Sequence, residues 1–563
     1  MRAPIPRAAL IAALAGVVFG APLLSQQAAS IAALKTTAEA SKYASTSTYE
    51  DVVRFMRTVA DASPLIHYTT YGQTHEGRDM PMAVVSTGLA DGSAASVLAT
   101  GKLRVHVQGN IHAGEVEGKE AAQILLREIA LGRHAEWLES SVLLVTPIFN
   151  ADGNERFAVN NRPRQNGPVN GMGTRANAQD LNINRDFTKL ETPEARAFAA
   201  LWNAYDPHVG FDLHTSDGST HAYHLTYSPP LHPNTNAAIM TLMKAEWLPF
   251  VTAQVKAKHG WDMFYYGNAP RRDGPGGRGG RGGAAGRGGR GAQAARGAGP
   301  APPATSVRAW STFEHVPRFH NNYVGLRNRF ALLSEAYAYA TFEDRITATR
   351  YFVEEAMNFA HANADRLKAA VAAADAEPIA GRAMATRAAL ATGGLVEILM
   401  GEVEDETNPV SGAVMNRRRD VSTPEMMLDR LWFAPTWLET VAAEYYVPAQ
   451  ATGALDLLRA HGVRMRRIDA PTAGLDRFVI TSNTVRQGRG GIDFGTHELR
   501  TIEGYWEPGS ATAPAGSWVV PMDQPLARLA FILLAPTSDD GMLTWNVLDD
   551  LLAGGDYPIL RRR

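Results

Sequence analysis

The residues of this chain that could do chemistry stand at the ends of predicted strands. His112 and Glu115 lie three positions apart, directly after the predicted strand 103–110. His214 ends a second predicted strand, and Glu335 lies in a third. In open α/β sheets, ligands bind beyond the carboxyl ends of the strands, so these side chains are expected to converge. Two histidines and one glutamate with an open fourth position form a hydrolytic zinc set, and the pattern therefore indicates a catalytic zinc site.

The His-x-x-Asp/Glu spacing is weak evidence when it stands alone. The chain has 16 histidines and 57 acidic residues among 563, which is enough to produce such pairs by chance. A second pair, His214 and Asp217, is present, and His221 and His224 lie close to it as alternative metal ligands. Neither alternative has a partner at the end of a second strand. We therefore expect these residues to line a cleft.

The segments around these residues alternate between strand and helix patterns. A helical pattern covers 48–60, and the amphipathic stretch 118–132 ends at a glycine. Buried strands are predicted over 140–150 and 208–215, and a long helix is predicted over 343–376. Such alternation predicts an α/β domain. At 563 residues the chain is too long for one ordinary core, so a second domain is expected.

The N-terminus has the order of a secretory signal peptide. Arg2 and Arg7 precede an apolar run, and small residues follow it near Ser25. We predict a signal peptide over 1–25 and a flexible leader of small and polar residues over 26–47. The protein is therefore expected to be secreted or periplasmic, with no stable membrane span after the signal is removed.

The composition excludes several classes of partner and site. A formal net charge of −2 gives no general attraction to nucleic acid or to membranes. The chain has no cysteine, so a zinc site must be built from histidine, aspartate and glutamate. Residues 271–304 contain seven arginines among glycine, alanine and proline, with no aromatic residue on which bases could stack. We predict a disordered insertion there and no nucleic-acid partner.

The C-terminal third of the chain shows no comparable group of chemical side chains. Residues 445–468 have a β-α-β-like pattern, and the stretch "SWVVPMDQPLARLAFILLAP" predicts a strand that leads into a helix. We therefore predict a catalytic domain over 48–376 and a C-terminal α/β accessory domain of unknown fold over 377–563.

Several longer motifs of the first domain occur in a recognisable order between residues 48 and 345. They are "TYEDVVRF", "YGQTHEGRDM", "HAGE", "NADGN", "LNINRDF", "DLHTSDG" and "LLSEAYAY". Together they resemble the M14 family of zinc carboxypeptidases, the carboxypeptidase A-like metallopeptidases. The resemblance implies an α/β fold with a mixed central sheet flanked by helices.

The resemblance also implies roles for the residues that could do chemistry. His112, Glu115 and His214 match the ligands of one Zn²⁺ ion in the family. Glu335 matches the general base, which later acts as the general acid.

Further residues match the part of the family's site that binds substrate. Asn184 and Arg185 match the pair that holds the substrate's terminal carboxylate. Arg164 best matches the arginine that stabilises the oxyanion, with Arg162 as a competing match. Tyr323 is the candidate for the tyrosine that caps the substrate, and an ordinary packed aromatic is the alternative.

Two positions depart from the family pattern. Asn182 stands where an acidic residue often orients a zinc histidine, and Gly114 stands where an arginine is common. An amide carbonyl can accept the imidazole proton but carries no charge, so the basicity of the histidine is expected to be lower. One contact to substrate is expected to be absent at Gly114.

These inferences predict an exported zinc-dependent carboxypeptidase that hydrolyses the C-terminal bond of peptides with a free C-terminus. The same residues are compatible with two alternatives. One is a peptidoglycan stem-peptide hydrolase of the same family, and the other is a catalytically inactive peptidase-like binding protein.

Overall fold

The computed structural model describes residues 30–216, 218–269, 307–487 and 491–563. The predicted signal peptide and the predicted insertion over 271–304 lie outside these ranges. No helix in the described part of the chain is long and apolar enough to cross a membrane.

The first part of the chain is built around one large sheet. Its strands and the neighbouring β8 are β1 Ile66–Gln73, β2 Asp79–Val85, β3 Leu103–Gly109, β4 Ser141–Thr146, β5 Val209–Thr215, β6 Leu225–Ser228, β7 Met263–Tyr265, β8 Ala309–Ser311 and β9 Phe330–Ala336. The order in the sheet is β1-β2-β4-β3-β5-β9-β6-β7. The pairs β4-β3, β3-β5 and β5-β9 are parallel, whereas β1-β2, β2-β4 and β9-β6 are antiparallel. The predicted mixed central sheet is confirmed.

Helices and further structure cover both faces of this sheet. The helices of the first part are Thr37–Ala40, Tyr49–Ala62, Ala94–Ala99, Glu117–Ala130, Trp137–Ser140, Ala151–Asn154, Pro193–Tyr205, Ala237–Leu242, Leu248–His259, His320–Leu326, Phe342–Ala362 and Ala364–Ala376, with a π-helical turn over Met243–Trp247 and a 3₁₀ turn over Ile183–Arg185. Successive residues of a strand point to opposite faces of the sheet and pack in different hydrophobic cores. Val84 packs in one core and Val85 in the other. Because both faces are buried, the central strands are almost continuously apolar.

Residues 30–47, which belong to the predicted flexible leader 26–47, are packed on the domain. The guanidinium of Arg127 donates to both carboxylate oxygens of Glu39, at 2.6 and 2.7 Å. The backbone N–H of buried Ser47 donates to Glu120 at 2.7 Å. These small and polar residues are ordered because their polar groups pair with buried or half-buried side chains of one helix, a match that composition does not reveal.

The C-terminal region is rich in strands. They are β10 Ala383–Leu390, β11 Leu395–Met400, β12 Val403–Thr407, β13 Val414–Arg418, β14 Thr423–Arg430, β15 Phe433–Thr440, β16 Glu444–Val447, β17 Arg466–Arg467, β18 Thr472–Gln487, β19 Glu498–Ala513, β20 Trp518–Pro521 and β21 Leu560–Arg562. Six of them form a sheet in the order β17-β20-β16-β21-β18-β19. Its helices are Thr452–His461 and Ala527–Leu534, with a 3₁₀ turn over Asp549–Gly554.

The two regions share structure across the predicted boundary at 376/377. One hydrophobic core contains Phe198 and Tyr323 of the first region together with Leu458 and Phe531 of the second. Strand β8 of the first region pairs in parallel with β14 of the second. The C-terminal region is therefore expected to unfold together with the first, because neither closes this core alone.

The long hairpin β18–β19 brings the C-terminal region close to the ends of the central strands. Its two strands pair over most of their length. Residues 491–497 of the connection lie beside the 3₁₀ turn Ile183–Arg185, where the backbone N–H of Asn182 donates to the carbonyl of Ile492 at 2.7 Å. A loop distant in sequence thus reaches the part of the sheet where the site is expected.

Buried histidines make the stability of this fold depend on pH. Burial lowers the pKa to about 3 for each of His106, His208, His221, His224, His232 and His461. An unfolded histidine has a pKa of about 6.5, so between pH 6.5 and 3 the unfolded chain binds more protons. The stabilisation is present above about pH 6.5 and is lost as the pH falls toward 3.

We expect the urea midpoint to fall steadily from pH 7 to pH 4. His461 allows a matched control, because its Nδ1 accepts from the Tyr323 hydroxyl at 2.9 Å and its Nε2 donates to the Thr188 carbonyl at 3.2 Å. His461→Gln keeps a donor and an acceptor but cannot titrate. Its free energy of unfolding should therefore fall less steeply with decreasing pH, by a slope that corresponds to about one bound proton. A midpoint that does not change over this range would contradict the prediction.

Candidate metal centre

A tight loop after β3 carries two of the candidate ligands. Asn110 has a φ of 65°, a conformation that asparagine adopts more readily than most residues. The chain then turns so that the Glu115 N–H donates to the His112 carbonyl at 2.8 Å. A side chain at Gly114 would meet the Gly173 carbonyl at 3.0 Å and Arg162 Cδ at 2.8 Å. A side chain at position 114 would therefore displace the stem of Arg162, which lies over the backbone.

Three buried side chains converge at this loop and at the end of β5. Ligand atoms of His112, Glu115 and His214 lie within 4.8 Å of one another. Glu115 Oε2 is 3.1 Å from His112 Nδ1 and 2.8 Å from His214 Nδ1. No other group of three or more histidine or acidic side chains meets this distance in the described ranges.

The outward nitrogen of each imidazole ring is held by an acceptor. His112 Nε2 lies 3.0 Å from Asn182 Oδ1, and His214 Nε2 lies 2.8 Å from Asp212 Oδ2. When each Nε2 carries the donated proton, both Nδ1 lone pairs and the Glu115 carboxylate face one point. Outer partners of this kind orient metal-ligating histidines. The donor set fits a zinc ion with an open fourth position.

The charges of the site match this arrangement. Burial lowers the pKa of His112 to about 3, with Arg175 contributing, so the ring is neutral and offers a lone pair. Burial would raise the pKa of Glu115, but His112 and Arg162 hold it well below its usual value. Burial opposes protonation of His214, yet Asp212 and Glu115 raise its pKa well above the usual value. A metal ion would displace that proton, so its affinity would depend on pH.

Glu335 lies on β9 directly beside His214 on β5. The two residues are in register across parallel strands. Aligned residues of parallel neighbours project from the same face of a sheet, so Glu335 faces the same side as His214. The side chain is half-buried. The structure thus brings Glu335 to the strand ends where the three candidate ligands converge.

Two arginines reach the candidate ligands. Arg162 donates to Glu115 Oε1 at 2.9 Å, and its other N–H groups contact Gln165, the Thr215 carbonyl and the Ser216 carbonyl. Arg175 Nη1 lies 3.1 Å from His112 Nδ1 and 3.4 Å from Glu115 Oε1.

Arg175 was not identified from the sequence. Its segment is held beside the ligand loop because the Ala113 N–H donates to the Thr174 carbonyl at 3.1 Å. The signal that could have found it is its place in the stretch "GTRANAQDLNINR", shortly before Asn184. Asp212 was also missed, although its spacing of two from His214 in a predicted strand puts both on one face.

The structure does not bring Arg164 to the site, which corrects the assignment made from sequence. Its side chain is 45% exposed and contacts Asn416 at 3.3 Å and Asp405 at 3.6 Å. The physical reason is a turn in which the Gln165 N–H donates to the Arg162 carbonyl. That turn directs Arg162 toward Glu115 and leaves Arg164 on the outer side.

Tyr323 is also away from the candidate ligands. Its side chain is fully buried, and its ring packs against Phe187 and Phe198. Its hydroxyl pairs with His461 Nδ1 of the C-terminal region at 2.9 Å. Tyr323 is therefore the packed aromatic that was the alternative to a substrate cap. Nothing in its sequence context signalled the partner His461.

Asn184 and Arg185 lie next to the outer partners of the ligands. The side-chain Oδ1 of Asn184 accepts a hydrogen bond from the backbone N–H of His320 at 3.0 Å. Asn184 Nδ2 lies 3.3 Å from His214 Nε2. The Arg185 guanidinium stacks on Phe319, with Cζ 3.7 Å from the ring centroid. Among the described residues, the Asp493 carboxylate is the opposite charge that acts on it most strongly. Burial lowers the pKa of Arg185 to about 10, so it remains charged at neutral pH.

The alternative ligands His221 and His224 are packed against aromatic side chains. His221 lies 4.2 Å from the Tyr337 ring, and His224 stacks on Trp261 at 4.3 Å between centroids. Burial lowers the pKa of each to about 3. Asp217 lies outside the described residues.

Comparison with known proteins agrees with this geometry. Residues 52–269 match the model of the family described as zinc carboxypeptidase. Over these residues the chain is similar to the zinc carboxypeptidases. Carboxypeptidase 2 of Trichophyton rubrum is 29% identical to this chain over 168 residues, which are 29% of this chain and 28% of that protein. The probable carboxypeptidase 2 of Arthroderma benhamiae has the same identity and coverage.

The chain is also similar to solved structures at lower identity. A metallo-carboxypeptidase from Burkholderia cenocepacia is 16% identical with a TM-score of 0.38, covering 56% of this chain and 70% of that one. Carboxypeptidase A from Helicoverpa armigera is 15% identical with a TM-score of 0.38, covering 63% and 81%. The matched stretch spans less than a third of the length of the curated relatives.

Proposed function

We propose that this protein is an exported, zinc-dependent carboxypeptidase that removes the C-terminal residue of peptides. The observation that carries the proposal is a histidine–glutamate–histidine donor set with the guanidinium of Arg185 on the neighbouring 3₁₀ turn. A partly buried, permanently charged group of this kind favours an anionic ligand. A peptide's terminal carboxylate is such an anion, and it lies one residue from the bond to be cleaved.

Hydrolysis needs an activated water and a proton carrier. When bound by His112, Glu115 and His214, zinc would act as a Lewis acid and lower the pKa of a coordinated water to about 7. Glu335 takes the proton of the attacking water and passes it to the leaving amine. Proton transfer by a positioned side chain typically contributes about 10²–10⁴-fold to the rate.

Arg175 is the better candidate for stabilising the oxyanion. All the N–H contacts of Arg162 go to Glu115, Gln165 and two carbonyls, so Arg162 holds Glu115 in place. Within the described residues, Arg175 Nη1 contacts His112 and Glu115, and its side chain is 32% exposed, so its other N–H groups are accessible to substrate. Loss of one oxyanion donor typically costs about 10²–10³ in rate.

Export is supported by the charged, apolar and small-residue order of residues 1–25. A catalytically inactive binding protein is disfavoured because the donor set, Glu335 and Arg175 all meet at the same strand ends.

The experiment that tests exopeptidase action compares a peptide acid with its C-terminal amide. We expect the acid to be shortened one residue at a time and the amide to be cleaved at least about a hundredfold more slowly, since a broken buried charge pair costs about 2–5 kcal/mol. Arg185→Ala should remove most of this preference by slowing cleavage of the acid. Arg185→Lys should restore it partly, because a point charge lacks the planar fork.

The matched control is Arg54→Ala, a side chain 69% exposed on the first long helix, which should leave both rates unchanged. Mass spectrometry of the products measures each outcome. Internal cuts, or equal rates for acid and amide in the wild type, would make the domain an endopeptidase or amidase. A peptide that ends in a D-residue, as stem peptides do, tests the peptidoglycan alternative in the same assay.

A further inference from the structure

Asn182 forms a bridge between the metal centre and the C-terminal region. Its Oδ1 lies 3.0 Å from His112 Nε2, and its Nδ2 donates to Asp493 Oδ1 at 2.6 Å. Its backbone N–H donates to the carbonyl of Ile492. Asp493 belongs to the connection between β18 and β19, so a half-buried carboxylate 311 positions away in sequence touches the outer partner of a candidate ligand.

The direction of the Asn182 amide decides whether it can support His112. His112 must present an unprotonated Nδ1 to the metal, so its Nε2–H needs an acceptor. An amide offers an oxygen on one side and an NH₂ on the other, and only the oxygen suits this role. Asp493 accepts hydrogen bonds and cannot donate them when ionised, so it binds the NH₂ and leaves the oxygen for His112. The Asn184 N–H also donates to this oxygen, at 3.1 Å.

The surroundings of Asp493 keep it charged. Burial would raise its pKa, but the guanidinium groups of Arg185 and Arg175 hold the pKa below its usual range. A charged acceptor makes a stronger hydrogen bond than a neutral one and polarises the amide toward His112. Asp493 thereby supplies, through the Asn182 amide, the negative charge that an acidic residue at position 182 would carry.

We propose that Asp493 is a positioning residue of the zinc centre, acting through the Asn182 amide on His112. The C-terminal region then has a defined task, which is to complete the outer support of a ligand carried by the loop after β3. This inference rests on the proposed zinc centre. It does not depend on which peptides are cleaved.

A different role for the same carboxylate would have effects of the opposite sign. Asp493 lies near Arg185, so it could instead occupy the place of a substrate carboxylate and inhibit the enzyme. Removing an inhibitory group would lower KM and leave zinc affinity unchanged. Removing a positioning group would weaken zinc binding.

The test measures the zinc dissociation constant of the full chain by competition with a chromophoric chelator. We expect Asp493→Asn and Asp493→Ala to bind zinc about 10–100-fold more weakly than the wild type, as outer partners of ligands usually do. Asp469→Asn, an exposed acid of the same region, is the matched control and should bind like the wild type. Thermal melting of the metal-free variants checks that the hairpin remains folded.

A rescue separates positioning from general damage. Asn182→Asp places a carboxylate directly against His112 Nε2, so Asp493 is no longer needed. The double variant Asn182→Asp/Asp493→Asn should regain zinc affinity to within a few fold of the wild type. Unchanged zinc affinity in Asp493→Asn, or no recovery in the double variant, would overturn the proposal. A wild type that binds no zinc would instead overturn the proposed function itself.

Discussion

We expect His214→Ala to lose tightly bound zinc and peptide hydrolysis together. His214 supplies one of three ligand atoms that converge within 4.8 Å, and two remaining protein ligands would leave the set incomplete. The loss should exceed the roughly 10–100-fold that removal of an outer partner causes. Metal content by atomic spectroscopy and the rate of peptide cleavage are measured on the same sample.

The matched control is His75→Ala, because His75 is exposed and belongs to no group of metal ligands in the described structure. It should retain full zinc and full activity. An active His214→Ala variant would show that the histidine–glutamate–histidine set is not the catalytic centre.

The second large effect separates proton transfer from metal binding. Glu335→Gln keeps the shape of the side chain and removes the base, so turnover should fall at least about a hundredfold. Zinc content should stay at the wild-type value because Glu335 is not among the three converging ligands. Single-turnover kinetics and metal analysis together distinguish the two effects.

Glu404→Gln, an exposed glutamate on β12, is the control for the loss of one charge and should be fully active. If zinc is lost together with activity in Glu335→Gln, then Glu335 is a ligand. If activity persists, the proton goes to another group.

The central sheet and the three candidate ligands could be predicted from the sequence because they depend on short-range patterns. Alternating segments predicted the α/β architecture, and the strand ends of β3, β5 and β9 do bring His112, His214 and Glu335 together. Residues that follow parallel neighbouring strands meet at one edge, so their proximity follows from the topology.

The arginines could not be assigned this way because they lie on irregular loops. Arg162, Arg164 and Arg175 all precede Asn184 in one connection, and spacing alone does not say which turns inward. The turn after Arg162 and the pairing of Thr174 with Ala113 decide the outcome. Both are contacts between segments with no regular period.

Contacts between the first and the C-terminal region were the hardest to predict from the sequence. Tyr323 was interpreted from its neighbours in sequence, whereas its position is decided by His461, 138 residues later. Asp493 has no motif around it, and its proximity to Asn182 depends on the long hairpin that carries it. Such contacts follow from tertiary packing and not from local pattern.

The most direct test of the account is a zinc titration of the metal-free, full-length protein. Zinc is removed by chelation and added back in fractions of an equivalent, while release of the C-terminal residue from a peptide acid is followed. The account predicts no activity at the start and a linear rise that saturates at one equivalent of zinc. Full activity in the metal-free protein, or no activity at any amount of zinc, would contradict it.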